Sequence, residues 1–281
     1  MSPEILVVTP PHGGSFEVAR ARARQAKGHV PLLLVPGIGG PRGAFHHQLR
    51  TLTEERDVVA TSLNPAQAPG LKSIPSSARD VLHVLDALAI ERADLLGASY
   101  GSCVTACLSE LAPERVRRQL WVAPPVVRHA PWRAAFGPGW LLGGALMKFA
   151  PVRYRDDIVR WLAERRIYSV EPDLPEEELL RLAGRVSDTE LAPFFRRFAD
   201  LRAWDWKERS RAVTRPLLVI QGRKEHTVTP PDVRQAWEHA SGRPIALIDG
   251  THMPYLSYPQ QFNDAVQGFL EIEERALDSV T

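Results

Sequence analysis

Short apolar runs alternate with stretches of helical spacing along most of the chain. VPLLLVPG (30–37), ADLLGA (93–98), RQLWVAPP (118–125), RPLLVIQG (215–222) and RPIALIDG (243–250) read as short strands apolar on both faces. RDVVATSLN (56–64) reads as another strand. SFEVARARAR (15–24) alternates like a hairpin strand, although its Ala and Arg content also suits a helix. Between them, GAFHHQLRTLTEE (43–55) carries Phe45, Leu49 and Leu52 at helical spacing. SIPSSARDVLHVLDALAI (73–90) opens on Ser and Pro, as helices do, and SCVTACLSELAP (102–113) ends at Pro113. PPDVRQAWEHA (230–240) and PQQFNDAVQGFLEIEERAL (259–277) complete the helical set. Buried strands alternating with helices call for an α/β fold, in which a mostly parallel sheet carries helices on both faces.

The rhythm breaks once. Residues 126–206 contain no strand-like run but several helical ones, DDIVRWLAERRI and TELAPFFRRFADLRAW among them. The chain therefore divides into a core, 1–125 with 207–281, and an inserted helical cap, 126–206. The insertion holds five of the seven Trp and five of the nine Phe, so the space it covers is expected to be apolar.

At 281 residues the chain suits one large α/β domain with such an insertion. Thirty-five basic and 33 acidic side chains leave a net charge of +2. That balance gives no field for nucleic acid or an anionic membrane, and the scattered arginines read as solvated faces. Cys103 and Cys107, four apart on one helix, read as small core residues rather than a bridge. MSPEILVVTPPHGG lacks the basic start of a secretory signal, and FGPGWLLGGALMKFAP is too short for a bilayer span. The expected setting is cytoplasmic, without stable membrane insertion.

LLGASYGSC (95–103) places Ser99 between two glycines, after a strand and before a helix. A neutral serine is a weak nucleophile and needs a base, a group that orients the base, and donors for the oxyanion. Gly97 and Gly101 stand where a Cβ would obstruct a sharp strand-to-helix turn, the context in which G-x-S-x-G carries chemistry. His252, in GTHMP between the last strand and the last helix, is the candidate base. His46 and His47 lie on a predicted helix, His129 at the edge of the cap, and His239 near a helix end. Glu225, in QGRKEHTVTP after the strand RPLLVI, is the leading orienting acid. Asp249 is its rival, only three residues from His252, and Asp232 reads as a first-turn helix residue. The glycines of LLLVPGIGGP suit an oxyanion loop, with the backbone N–H groups of Ile38 and Tyr100 as donors.

These residues resemble the α/β-hydrolase superfamily over nearly the whole chain apart from the cap. The order Ser99, Glu225, His252 is the superfamily's order, and DGTHMPYLSYPQQF resembles its Gly-His loop ahead of a final helix. The resemblance implies an eight-stranded, mostly parallel sheet and ester-type acyl transfer with neither cofactor nor metal. The resemblance says little of the substrate; with the Trp- and Phe-rich insertion, the expected one is a small-molecule ester or thioester with an apolar acyl part. Lactone and carbon–carbon bond hydrolysis use the same parts. Three positions depart from the pattern. Pro36 replaces a histidine before Gly37, SLNPAQAPG (62–70) replaces an Asp-x-x-Gly-His-Gly loop, and Glu225 replaces the commoner aspartate. Maspardin-like members, which bind without catalysis, share an altered loop but lack a clear catalytic histidine, which this chain keeps in His252.

Overall fold

The computed structural model describes residues 2–11, 14–38, 42–63, 73–125, 213–225 and 245–278, together with ten isolated positions between 151 and 204. Eight strands form one sheet: β1 (Glu4–Val8), β2 (Phe16–Ala21), β3 (Leu32–Val35), β4 (Val58–Thr61), β5 (Ala93–Ala98), β6 (Val116–Val122), β7 (Leu217–Gly222) and β8 (Ile245–Ile248). Their spatial order is β1-β2-β4-β3-β5-β6-β7-β8. β2 pairs antiparallel with β1 and with β4, and every pairing from β4 through β8 is parallel. The doubly covered, mostly parallel sheet expected from the apolar runs is therefore present.

The covering follows from the two-residue period of a strand, which sends successive side chains to opposite faces. Leu33 and Val35 of β3, Leu95 of β5, Trp121 of β6 and Val219 of β7 share one core with α2 (Ile74–Ala87) and α3 (Tyr100–Leu111). Leu32 and Leu34, Leu96 and Ala98, Leu120 and Val122, and Ile220 share the other core with α1 (His46–Thr51), α4 (Pro254–Ser257) and α5 (Pro259–Asp278). Because β3, β5, β6, β7 and β8 run parallel, their carboxyl ends lie along one edge of the sheet. Ile38, Ser99, Glu225 and His252 each follow one of those ends.

The α2 start lies where Ser and Pro mark it. Ser73 is the N-cap, and its Oγ accepts a hydrogen bond from the Ser76 amide at 3.3 Å. SFEVARARAR resolves in favour of the strand. The stretch 43–55 forms less helix than its spacing suggests, a 3-10 turn over Arg42–Phe45 followed by the six-residue α1. The physical reason lies in the backbone: the Thr53 and Glu54 carbonyls accept from the Arg24 and Gln25 amides, drawing the chain away from helix toward the strand edge. The strand β1 is missing from the pattern reading because EILVV is a bare apolar run beside prolines, and its partner β2 is what makes it a strand. Cys103 and Cys107 are buried and unbridged, as core residues. Among the described residues, no helix is long and apolar enough to cross a membrane. The helix expected over 230–240 and most of 126–206 lie outside the described residues.

The scattered arginines are not all on solvated faces. Arg118 and Arg197 are each 1% exposed. Arg118 Nε donates to Asp94 Oδ1 at 3.0 Å and its Nη1 to the Leu270 carbonyl at 2.5 Å, tying α5 to the middle of the sheet. A buried guanidinium is tolerated only when charge and hydrogen bonds compensate its lost hydration, and here both do.

Candidate active site

Ser99 stands alone at the turn between β5 and α3, with φ 50° and ψ −118°. Positive φ is rare for a residue with a Cβ, and at this turn it sets Ser99 apart from the strand and helix that flank it. The turn is held from both sides. The Ser99 amide donates to the Val122 carbonyl at 2.7 Å, and its own carbonyl accepts from the Ser102 amide at 2.9 Å and from Ser102 Oγ at 2.5 Å. A Cβ at Gly97 would strike the Gly101 backbone, and one at Gly101 would strike the carbonyls of Val35 and Pro36. Glycine at both positions is thus a packing requirement of the turn. A Cβ on Gly37 would lie 3.6 Å from that of Ser99, so the loop after β3 borders the serine directly.

His252 and Glu225 meet because their loops are laced together. The Arg223 amide donates to the Ile248 carbonyl at 2.8 Å, and the Lys224 amide to the Gly250 carbonyl at 3.0 Å. Gly222 permits this approach, since a Cβ there would collide with the carbonyls of Gly250 and Thr251. His252 Nδ1 then lies 2.6 Å from Glu225 Oε2. The Glu225 side chain is fully buried and that of His252 is 13% exposed. A carboxylate can only accept, so Nδ1 carries the proton and Nε2 of the neutral ring is left as the acceptor. Asp249 has other partners. It is exposed, accepts from Gln261 Nε2 at 3.1 Å, and lies 3.5 Å from Arg223 Nε. Asp232 lies outside the described residues.

The His252 loop is braced from beneath. Gln48 Nε2 on α1 donates to the Tyr255 carbonyl and to Asn263 Oδ1, both at 3.0 Å, inside the core. Tyr255 packs its ring between Phe45 and Phe262, with centroids 5.2 and 5.9 Å away.

The oxyanion candidates lie on either side of the serine. Tyr100 begins α3, where the first amides of a helix have no partner inside it and carry the positive end of its dipole. Its phenol has a different role. The side chain is fully buried on the α2–α3 face, and burial pushes the hydroxyl far above its ordinary value, so the ring stays neutral. Ile38 is held by a residue that pattern reading did not single out. Arg197 Nη1 donates to the Ile38 carbonyl at 2.7 Å and its Nη2 to the Leu63 carbonyl at 2.6 Å. The guanidinium lies 5.5 Å from the centre of the Tyr100 ring. Burial lowers its pKa from the ordinary arginine value, while Tyr100, Asp200 and Asp80 act in the opposite sense. One side chain from the stretch between β6 and β7 thus holds the loop after β3 and the chain just past β4, and covers Tyr100. The available signal was an arginine inside FFRRFAD, a charge set among aromatics. Of the replaced loop 62–70, only Ser62 and Leu63 are among the described residues.

A model of the alpha/beta hydrolase family matches residues 32–265 of the chain. The candidate carbamate hydrolase RutD of Azorhizobium caulinodans is 26% identical over 256 residues, covering 85% of this chain and 91% of its own. A crystal structure of a hydrolase from Pseudomonas aeruginosa PA01 superposes with a TM-score of 0.72 at 23% identity, covering 95% of this chain and 98% of that one. Est816, described as an N-acyl homoserine lactone degrading enzyme, superposes with a TM-score of 0.69 at 21% identity over 94% and 100% of the two chains.

Proposed function

The chain belongs to the alpha/beta hydrolase family, and from that premise we propose that it is a serine hydrolase that cleaves small carboxylic esters through an acyl-serine intermediate. The observation that carries this reading is the buried Glu225 carboxylate 2.6 Å from His252 Nδ1, on the sheet edge that bears Ser99. In the proposed reaction His252 Nε2 removes the Ser99 hydroxyl proton as Oγ attacks the substrate carbonyl. Glu225 stabilises the imidazolium that forms. The amides of Ile38 and Tyr100 donate to the new oxyanion, and Arg197 positions the peptide next to the Ile38 amide. The tetrahedral adduct collapses as His252 gives its proton to the leaving alcohol. Water, activated by the same ring, then releases the acid and frees Ser99. A thioester, lactone or carbamate carbonyl passes through the same kind of tetrahedral adduct.

Serine-directed fluorophosphonate labelling tests this reading. The modified peptide is expected to contain Ser99, and labelling is expected to cease after acid unfolding. An unlabelled protein that folds normally, or a label on another serine, would overturn the assignment.

We also read residues 126–206 as a cap that supplies an apolar acyl site. Trp204 is buried against the α2–α3 core, and the insertion is rich in Trp and Phe. Each methylene entering such a site contributes about 0.8 kcal/mol, close to fourfold in binding. The value of kcat/KM should therefore rise from acetyl to butyryl or hexanoyl nitrophenyl esters. A steady fall from acetyl onward would mean that the aromatics serve packing and that the acyl site is small.

A further inference from the structure

His46 and His47 open α1, and Glu178 of the inserted segment faces both. His46 Nε2 lies 2.9 Å from Glu178 Oε1, and His47 Nε2 lies 3.4 Å from the same oxygen. The two imidazole centroids are 4.0 Å apart, and one ligand atom from each of the three residues falls within 4.8 Å of the others. The Glu178 side chain is 9% exposed and the imidazoles 19% and 30%. Successive residues on a helix point about 100° apart, so two adjacent histidines converging on one carboxylate oxygen need a cause.

His46 supplies part of it. Its Nδ1 lies 3.3 Å from the Gly43 carbonyl, which can only accept, so that nitrogen carries the proton. In the neutral ring Nε2 is then a lone pair, and it faces a carboxylate oxygen that also offers a lone pair. A cation between them removes the conflict. Protonated His46 and the Nε2–H tautomer of His47 can both donate to Glu178 Oε1, whereas a metal ion takes the lone pairs of both neutral rings and of the carboxylate together. A backbone carbonyl holding the far nitrogen of a histidine is also the usual support for a metal-bound imidazole. Ligand bonds of about 2.1 Å in a tetrahedron place the ligand atoms about 3.4 Å apart. The His47–Glu178 separation of 3.4 Å matches this, the His46–Glu178 separation of 2.9 Å has to widen as the ion enters, and all three atoms lie within 4.8 Å of one another.

We propose that His46, His47 and Glu178 form a binding site for a first-row divalent metal ion that clips the inserted segment to α1. Two imidazoles and a carboxylate favour zinc or cobalt over magnesium or calcium, which prefer all-oxygen sites. The clip sits at the end of the loop that contains Ile38, outside the proposed Ser99–His252–Glu225 chemistry, and does not depend on that reading. It also revises the expectation that no metal binds, because the His-His pair was set aside as lying on a predicted helix rather than at a strand end.

The test uses the full chain dialysed against a chelator. Titration with Co2+ should produce the visible d–d band of a four-coordinate site, and added Zn2+ should displace it. Zinc at a hundredfold excess over its Kd should raise Tm by about 5 °C. Glu178→Gln should weaken Co2+ binding at least tenfold while leaving metal-free ester hydrolysis unchanged. His47→Gln, at a partly exposed position, should weaken it similarly and serves if the first variant folds poorly. No band and no Tm shift would mean a hydrogen-bonded contact only. A band of wild-type strength in both variants would place the metal elsewhere. Either result overturns the proposal.

Discussion

Replacing Ser99 with alanine should lower kcat for a nitrophenyl ester by about ten-thousandfold or more, while the far-UV spectrum and urea midpoint stay close to those of the parent. The exchange removes one oxygen from a partly buried side chain. The backbone bonds that hold the turn, from the Ser99 amide to Val122 and from the Ser102 amide to the Ser99 carbonyl, involve no side-chain atom of Ser99. His252→Ala should lose a similar factor, and the double variant little more, because nucleophile and base act as one unit whose losses do not add. The measurement is single-turnover hydrolysis with protein freed of host esterase. Turnover by Ser99→Ala at the parent rate would remove the serine from the chemistry.

Glu225→Gln should lower kcat by about a hundredfold or more with KM little changed. The carboxylate is fully buried and has His252 Nδ1 at 2.6 Å, so it fixes the tautomer and, in the proposed reaction, stabilises the imidazolium formed during attack. Glutamine keeps the shape and removes the charge. It can also offer an N–H to Nδ1, which favours the tautomer with its proton on Nε2, where the base must be free. Glu225→Asp shortens the arm by one methylene and should retain part of the activity if the β7 loop adjusts. Asp249→Asn is the control, because that residue is exposed and bonded to Gln261 instead. Loss of activity in folded Asp249→Asn, with Glu225→Gln near the parent, would reverse the two roles.

The sheet and most of its helices were legible because burial on both faces writes itself as unbroken apolar runs. LLLV, LLGA and LLVI need no partner to be recognised as strands. The strand β1 was not legible, since an edge strand is defined by the neighbour it pairs with. The serine turn was legible for a steric reason. The backbone passes so close to Gly97 and Gly101 that no other residue fits, and such a demand shows in the sequence itself. The role of Arg197 was not legible in this way. Its partners are the carbonyls of Ile38 and Leu63, 159 and 134 residues away, and a carbonyl is common to every residue type. The meeting of His46, His47 and Glu178 was hidden similarly, because its third member is more than 130 residues away, between β6 and β7.

The backbone of Ser99 has an energetic consequence for the whole molecule. At φ 50° and ψ −118° glycine would rest with little strain, whereas a residue bearing a Cβ costs about 1–3 kcal/mol. Against a typical net folding stability of about 5–15 kcal/mol, this is a sizeable deficit concentrated in one residue. Under the proposed reaction, stability and turnover are therefore set in opposition at position 99. Glycine would relax the turn and forfeit the hydroxyl, and alanine would keep the strain and forfeit it as well. Serine alone of the three keeps the hydroxyl that the proposed reaction uses as nucleophile, at the expense of a native state less stable than its sheet could otherwise support.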